Sequence, residues 1–283
     1  MKREICPVCG DAAAPAATGL LECGVCGLVF KAEKTFDAPV YGAGMEDKIY
    51  GEAKREIFSS AADFIELVLP PESRLLDIGC AGGEFLKCAS GRGWETEGVE
   101  LDRGLAAKAS SAGYKIYLKP VEKAGLPENS YNAVTAFEVF SQMDAPAAAA
   151  AEIFRLMVPG GVLYIREFNA SFHLTLYGLE ARGFFKRSGM SPSVIHNFNF
   201  RSASLLFLLR KAGFRDIKIR NSRPTSGDPY RTGGALGGFF TGVLKILYYW
   251  LAEALWFITS GRVYAGSALI VTARKPQSDK GGS

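Results

Sequence analysis

From Arg74 onward the chain alternates short runs of β-forming residues with stretches of helical spacing, and this order limits the fold more than any other feature. Strands are expected at 74–78, 96–100, 114–118, 131–137, 162–167, 214–220 and 267–274, and helices at 83–92, 103–112, 145–157 and 202–212. Helices of this length between strands make βαβ units, which bury a mostly parallel sheet on both faces. Seven strands predict an α/β, doubly wound, Rossmann-like sheet. An earlier helix, 54–69, stops at Pro70-Pro71. Pro159-Gly160-Gly161 is expected as a turn feeding the fifth strand, and Ala212-Gly213 as a helix stop feeding the sixth.

In such a sheet the ligand lies at the carboxyl ends of the strands, so the first exit, LLDIGCAGGEF, is the expected site. Its three glycines do not fit a dinucleotide loop. A Gly-x-Gly-x-x-Gly register starting at Gly79 places Ala81 and Glu84 at the second and third glycines, and a glutamate cannot replace the glycine that lets helix press on strand. The register present is Asp77, Gly79, Ala81, Gly83. Glu100 closes the second strand 23 residues after Asp77, where a carboxylate can accept both hydroxyls of a ribose.

On these residues the chain resembles the class I S-adenosylmethionine-dependent methyltransferases, in particular the zinc-ribbon-containing, methyltransferase-23-like subgroup. SYNAVTAFEVFSQM is similar to the family's fourth-strand motif and LMVPGGVLYIREFN to its fifth. The resemblance implies a cofactor site in which Asp77, Gly79, Cys80, Ala81 and Gly83 line the methionine end and Glu100 and Leu101 meet the ribose and adenine. Val121 and Glu122 would take the adenine edge, and Phe137 and Glu138 would face the cofactor from the fourth strand; Val121 and Phe137 are equally readable as core. Relatives with a ribbon commonly carry an acidic-histidine pair after that strand, where this chain has Ser141 and Gln142.

The chain has two histidines, His173 and His196. His196 lies where relatives carry a similar histidine, which makes it the candidate general base or acceptor contact; capping or packing is the alternative. No Asn-Pro-Pro-Tyr or Pro-Cys motif is present. The family resemblance therefore implies methyl transfer to an oxygen or carbon of a small-molecule, sugar or lipid-linked acceptor. An RNA methyltransferase and a non-catalytic recruitment module on the same fold are the competing readings.

Cys6 and Cys9 form CPVCG and Cys23 and Cys26 form CGVCG, thirteen residues apart. Two such knuckles supply four thiolates to a tetrahedral site with no open position, so the expected metal is a structural Zn²⁺. The intervening segment, rich in Ala, Pro and Gly, buries little, and metal binding must hold the ribbon together. The expected organisation is a ribbon at 1–35, a linker or lid at 36–53, a catalytic domain at 54–275 with an insertion at 221–263, and a disordered tail at 276–283.

The net charge is only +4, which alone does not call for nucleic acid, yet Arg182 to Arg231 hold eleven Lys or Arg against two acids. Immediately after comes an apolar stretch, 239–259, whose only charges are Lys245 and Glu253. Thr241, Lys245, Tyr248, Tyr249, Ala252 and Glu253 share one side of a helical wheel. A helix there can pack on the core or on a second subunit, lie on an anionic membrane surface, or span a bilayer. The basic start is not followed by an apolar run of signal-peptide length, so a cytoplasmic protein is expected, peripheral to the inner face of the membrane if 239–259 docks there. The sequence sets no oligomeric state.

Overall fold

The computed structural model describes residues 4–16, 19–34, 51, 53–186, 193–226 and 234–277, with side chains in the last helix from residue 242. Most of the expected lid at 36–53, and the tail from 278, lie outside the described residues. The ribbon supplies β1 (Ala13–Pro15), β2 (Leu20–Cys23) and β3 (Val29–Lys31). Then follow α1 (Arg55–Glu66), β4 (Arg74–Ile78), α2 (Glu84–Ser90), β5 (Glu95–Val99), α3 (Arg103–Ser111), β6 (Lys115–Tyr117), a 3-10 turn (Val121–Lys123), β7 (Tyr131–Phe137) and α4 (Pro146–Leu156). The last part contains β8 (Met157–Phe168), α5 (Ala170–Ala181), β9 (Phe198–Asn199), α6 (Ser202–Ala212), β10 (Arg215–Asn221), α7 (Gly234–Ile258) and β11 (Ala268–Arg274).

Seven strands form one sheet in the order β10-β11-β8-β7-β4-β5-β6. All run parallel except β11, which is antiparallel to both neighbours. Ile57, Phe58, Ala61, Ala62 and Ile65 recur at helical spacing on α1 and are buried with Phe85, Phe137 and Tyr164. Each such large side chain contributes about 1.5–3 kcal/mol by leaving water. A second cluster joins α4 and α6 to the ribbon through Leu28, Phe198, Phe200 and Leu208.

The turn expected at Pro159-Gly160-Gly161 is instead part of β8. The strand begins at Met157 opposite Tyr131, and its register shifts before Val162 meets Ala133. The physical reason is pairing beyond β11: Lys275 accepts the Gly160 N–H at 2.9 Å and donates its own to Gly161 O at 3.1 Å, so the ladder runs through the glycines.

Among the α-helices and strands described from Arg74 onward, α5 and β9 were not expected. Helix α5 starts at Asn169, whose side chain accepts the Ser171 N–H at 3.1 Å as an N-cap. Strand β9 is two residues long, and its existence depends on β3, to which it adds antiparallel with Val29 opposite Asn199 and Phe30 opposite Phe198. The ribbon sheet is thereby closed by a strand from the second half of the chain. No described helix is long and apolar enough to cross a membrane.

Candidate active site

Strand β4 delivers Asp77 to the carboxyl edge, and the chain turns at Gly79 with φ +70. A Cβ at Gly79 would stand 2.5 Å from Val139 Cγ2, so neither the backbone conformation nor the space admits another residue. The turn is fastened to β5: Gly79 and Cys80 both donate to Val99 O, at 2.7 and 3.1 Å. Glu100, at the exit of β5, accepts Ala81 N–H through Oε2 at 2.9 Å and Leu101 and Asp102 N–H through Oε1 at 2.7 and 2.8 Å. The carboxylate is thus fixed beside the glycine turn, with lone pairs to spare. The Cys80 thiol turns inward onto Gly98, leaving the residue 3% exposed.

Asp77 is buried and accepts Thr135 Oγ1–H at 2.6 Å. Burial first, then the Glu100 and Glu84 carboxylates, push its pKa up to about 8 against the effect of that hydrogen bond. The counter-cation in the same cleft is Lys54, buried at the entrance to α1 and 2.8 Å from Glu138 Oε2. Burial, reinforced by the Arg166 guanidinium, lowers the Lys54 pKa to about 7. Glu138 sits at the end of β7 with φ 62, outside the ordinary range for a residue with a side chain, and is also paired with Arg166. Arg166 donates through Nε to Ser222 Oγ at 2.8 Å and through Nη2 to Arg223 O at 3.3 Å.

The cleft brings together Lys54, Phe58, Asp77, Gly79, Cys80, Ala81, Glu84, Phe85 and Phe137. Gly83 caps α2 beside it, and Glu100 joins it through the Ala81 bond. Leu101, the next residue after Glu100, is 60% exposed and is not among the residues lining the cleft. Val121 is core, packed with Val99 and Leu126, while Glu122 is half-buried in the same 3-10 turn. Glu138 is not among the residues lining the cleft but pairs with Lys54, which is.

His196 is not among the residues lining the cleft; its ring lies 5.3 Å from that of Phe168, at the end of β8. His173 is a structural residue: Nδ1 accepts Val194 N–H at 3.2 Å and Nε2 lies 3.1 Å from Ser267 O. Ser141 and Gln142, where relatives carry an acidic-histidine pair, hold backbone instead. Ser141 N donates to Glu167 Oε2 at 3.1 Å, its carbonyl accepts Phe198 N–H at 3.0 Å, and Gln142 Nε2 donates to Glu138 O at 3.1 Å. Sequence reasoning missed Lys54, Thr135 and Arg166. A signal existed for Arg166, which with Glu167 puts two adjacent charges inside the run VLYIREF of a buried strand.

The four ribbon cysteines converge. Sγ atoms of Cys6 and Cys26 are 3.5 Å apart, those of Cys9 and Cys23 3.3 Å, and all four lie within 4.8 Å of one another. Four thiolates about 2.3 Å from one tetrahedral cation would stand roughly 3.8 Å apart, so the donor set suits a closed site for a soft or borderline cation. None of the four is disulfide-bonded.

Residues 52–219 match the family model described as a methyltransferase domain. Among curated proteins, the ubiquinone biosynthesis O-methyltransferase of Saccharophagus degradans is 29% identical over 151 residues, which is 50% of this chain and 63% of that protein. The chain therefore spans somewhat less than two thirds of that relative. Among solved structures, a SAM-dependent methyltransferase from Archaeoglobus fulgidus superposes with a TM-score of 0.53 at 19% identity, covering 81% of this chain and 97% of that one. The phosphoethanolamine N-methyltransferase 2 of Haemonchus contortus, in complex with S-adenosyl-L-methionine, gives 0.55 at 16% identity, covering 82% and 56%. At these identities the two structures speak to the fold.

Proposed function

Because this chain belongs to the methyltransferase-domain family, we propose that it is a class I S-adenosylmethionine-dependent methyltransferase that moves the methyl group to an oxygen of a small-molecule acceptor. One observation carries the reading: the Asp77-Gly79-Ala81-Gly83 turn at the exit of β4 and Glu100 at the exit of β5 meet side by side, inside the segment that matches the family. The oxygen is supported by the O-methyltransferase relatives. A lipid-linked acceptor is the finer form of the proposal, supported by an apolar helix face rooted at the same edge of the sheet.

When bound, S-adenosylmethionine supplies an electrophilic methyl on a sulfonium, a good leaving group. Asp77 would hold the ammonium and Lys54 the carboxylate of its amino-acid end, while Gly79 and Gly83 let the backbone come close. Glu100 would accept the ribose hydroxyls, and Leu101, Val121 and Glu122 would border the adenine. Phe137 walls the cleft and helps exclude water. Catalysis then rests mainly on holding the acceptor oxygen in line, with a base to take its proton. His196, at the end of β8, is the candidate for that base or for an acceptor contact. The four ribbon cysteines would hold a structural Zn²⁺, which supplies cross-linking and no chemistry to the methyl transfer.

Calorimetric titration with S-adenosylmethionine tests the cofactor assignment, with saturable binding at micromolar concentrations expected. No binding at high micromolar concentration would overturn it. For an acceptor found by product analysis, unchanged turnover in His196→Ala would remove His196 as the base.

A further inference from the structure

Helix α7 is mounted the reverse way from an ordinary surface helix, which buries its apolar stripe and shows its polar side to water. Its polar side faces the protein. Glu253 Oε1 and Ala252 O both accept from Asn221 Nδ2, at 3.0 and 3.2 Å, Tyr248 OH bonds Ala265 O, and Trp256 lies under the Arg220 guanidinium at 5.2 Å. On the opposite half, Leu244, Leu247, Trp250, Leu251, Phe257 and Ile258 are 59–79% exposed. At 3.6 residues per turn, every described position from 243 to 258 on that half is Val, Leu, Ile, Trp, Ala or Phe. A continuous apolar face of this kind marks an interaction surface.

Its surroundings say what covers it. Exposed Arg220 and Arg223 stand at the root of the insertion and exposed Arg262 just past the end of α7. Arg182 and Lys186 are exposed at the end of α5, the helix that meets α7 through the Phe172 and Tyr248 rings, 5.1 Å apart. Two copies meeting through this face would bring those cations toward one another. An anionic bilayer would accept the apolar half and neutralise the basic rim together.

Topology sets the orientation. Strand β10 runs parallel to β8 and ends at Asn221, opposite Leu269 on β11, which in turn pairs with Glu167 on β8. The insertion therefore leaves and re-enters at the edge where β4 delivers Asp77. Its first residues pass beside the cleft: Ser226 N donates to Ala53 O at 3.0 Å, adjacent to Lys54.

We propose that α7 docks the protein on an anionic bilayer and thereby brings the catalytic edge to the headgroup layer, where it takes its acceptor from the lipid phase. The acceptor clause rests on the methyl-transfer reading; the docking clause does not.

Vesicle co-sedimentation tests the docking, using phosphatidylcholine alone and with about a third phosphatidylglycerol. Each engaged basic residue adds about fivefold in affinity, so at least about tenfold tighter, salt-sensitive binding to the anionic vesicles is expected. Leu247→Glu/Leu251→Glu, at exposed positions, should abolish it while leaving circular dichroism and S-adenosylmethionine titration unchanged. Equal binding by the variant, or none by the wild-type protein, overturns the proposal. So does a wild-type dimer in light scattering that the variant dissolves, which would assign the face to a second copy. For the acceptor, incubation of isolated cell membranes with methyl-labelled S-adenosylmethionine should place label in the chloroform-soluble fraction, and its absence there overturns that clause. A failed S-adenosylmethionine titration would undo the methyl-transfer reading without touching vesicle binding.

Discussion

Glu100 accepts the backbone N–H of Ala81 at 2.9 Å, so the exit of one strand fixes the glycine turn of its neighbour before any ligand arrives. The same carboxylate caps Leu101 and Asp102 N–H groups. In Glu100→Gln the side-chain amide would turn a donor toward one of these donors, so the turn and the ribose position are both disturbed. Hydrogen bonds to charged groups contribute about 1.5–3 kcal/mol, which predicts roughly ten- to a hundredfold weaker binding of S-adenosylmethionine. Calorimetry reads the loss directly, and an affinity within twofold of wild type would contradict the assignment.

Glu138 stands between Lys54 and Arg166, all three at most 9% exposed. Glu138→Gln removes a carboxylate that pairs directly with both cations. Breaking a buried pair from one side costs about 3–5 kcal/mol because a desolvated charge is left behind. The urea midpoint should fall accordingly, and Lys54→Met in the same background should restore part of the loss.

His173 makes stability fall in acid. Burial lowers its pKa from 6.5 to about 4, and Val194 N–H already occupies Nδ1, where the second proton would bind. Between those values the unfolded chain holds the proton and the folded one does not. This contribution is therefore flat above pH 6.5 and is lost as pH drops toward 4. Between pH 6.5 and 4.5 the wild-type protein should lose about 2 kcal/mol more than His173→Gln, measured by denaturant unfolding at each pH.

The ribbon holds the segment that carries His196. Strand β3 pairs with β9, Lys31 N donates to Asn197 O at 3.0 Å, and Asn199 Nδ2 donates to His196 O at 2.9 Å. Treatment with a chelator, which would strip the proposed Zn²⁺, or Cys26→Ser, should raise amide exchange across 193–200 by an order of magnitude or more while S-adenosylmethionine affinity stays within about twofold. Unchanged exchange would mean that the cysteines do not organise this segment.

Much of the architecture was legible from Arg74 onward. Strands β4 and β7 and helix α6 begin and end where the spacing of apolar residues places them, because that spacing records which side of each element is buried. The glycine turn and Glu100 were legible for a related reason: a positive φ, a close approach and a strand-end acid are demands on single positions. The cysteine pairs were read the same way, and the four thiols do converge.

What only the tertiary structure decided depends on partners far away in the chain. Strand β9 has too few residues to show a period and is a strand only because β3 offers an edge. Lys54 meets Glu138 across 84 positions, and Arg166 meets Ser222 across 56. The wheel of α7 was visible as two halves, but the sequence reading could not say which half faces the protein. That was decided by Asn221, the Ala265 carbonyl and Arg220, which present polar partners to the helix and leave its apolar half outward. Local sequence sets the period of an element, whereas its orientation is a competition between surfaces that exists only once the chain has brought them together.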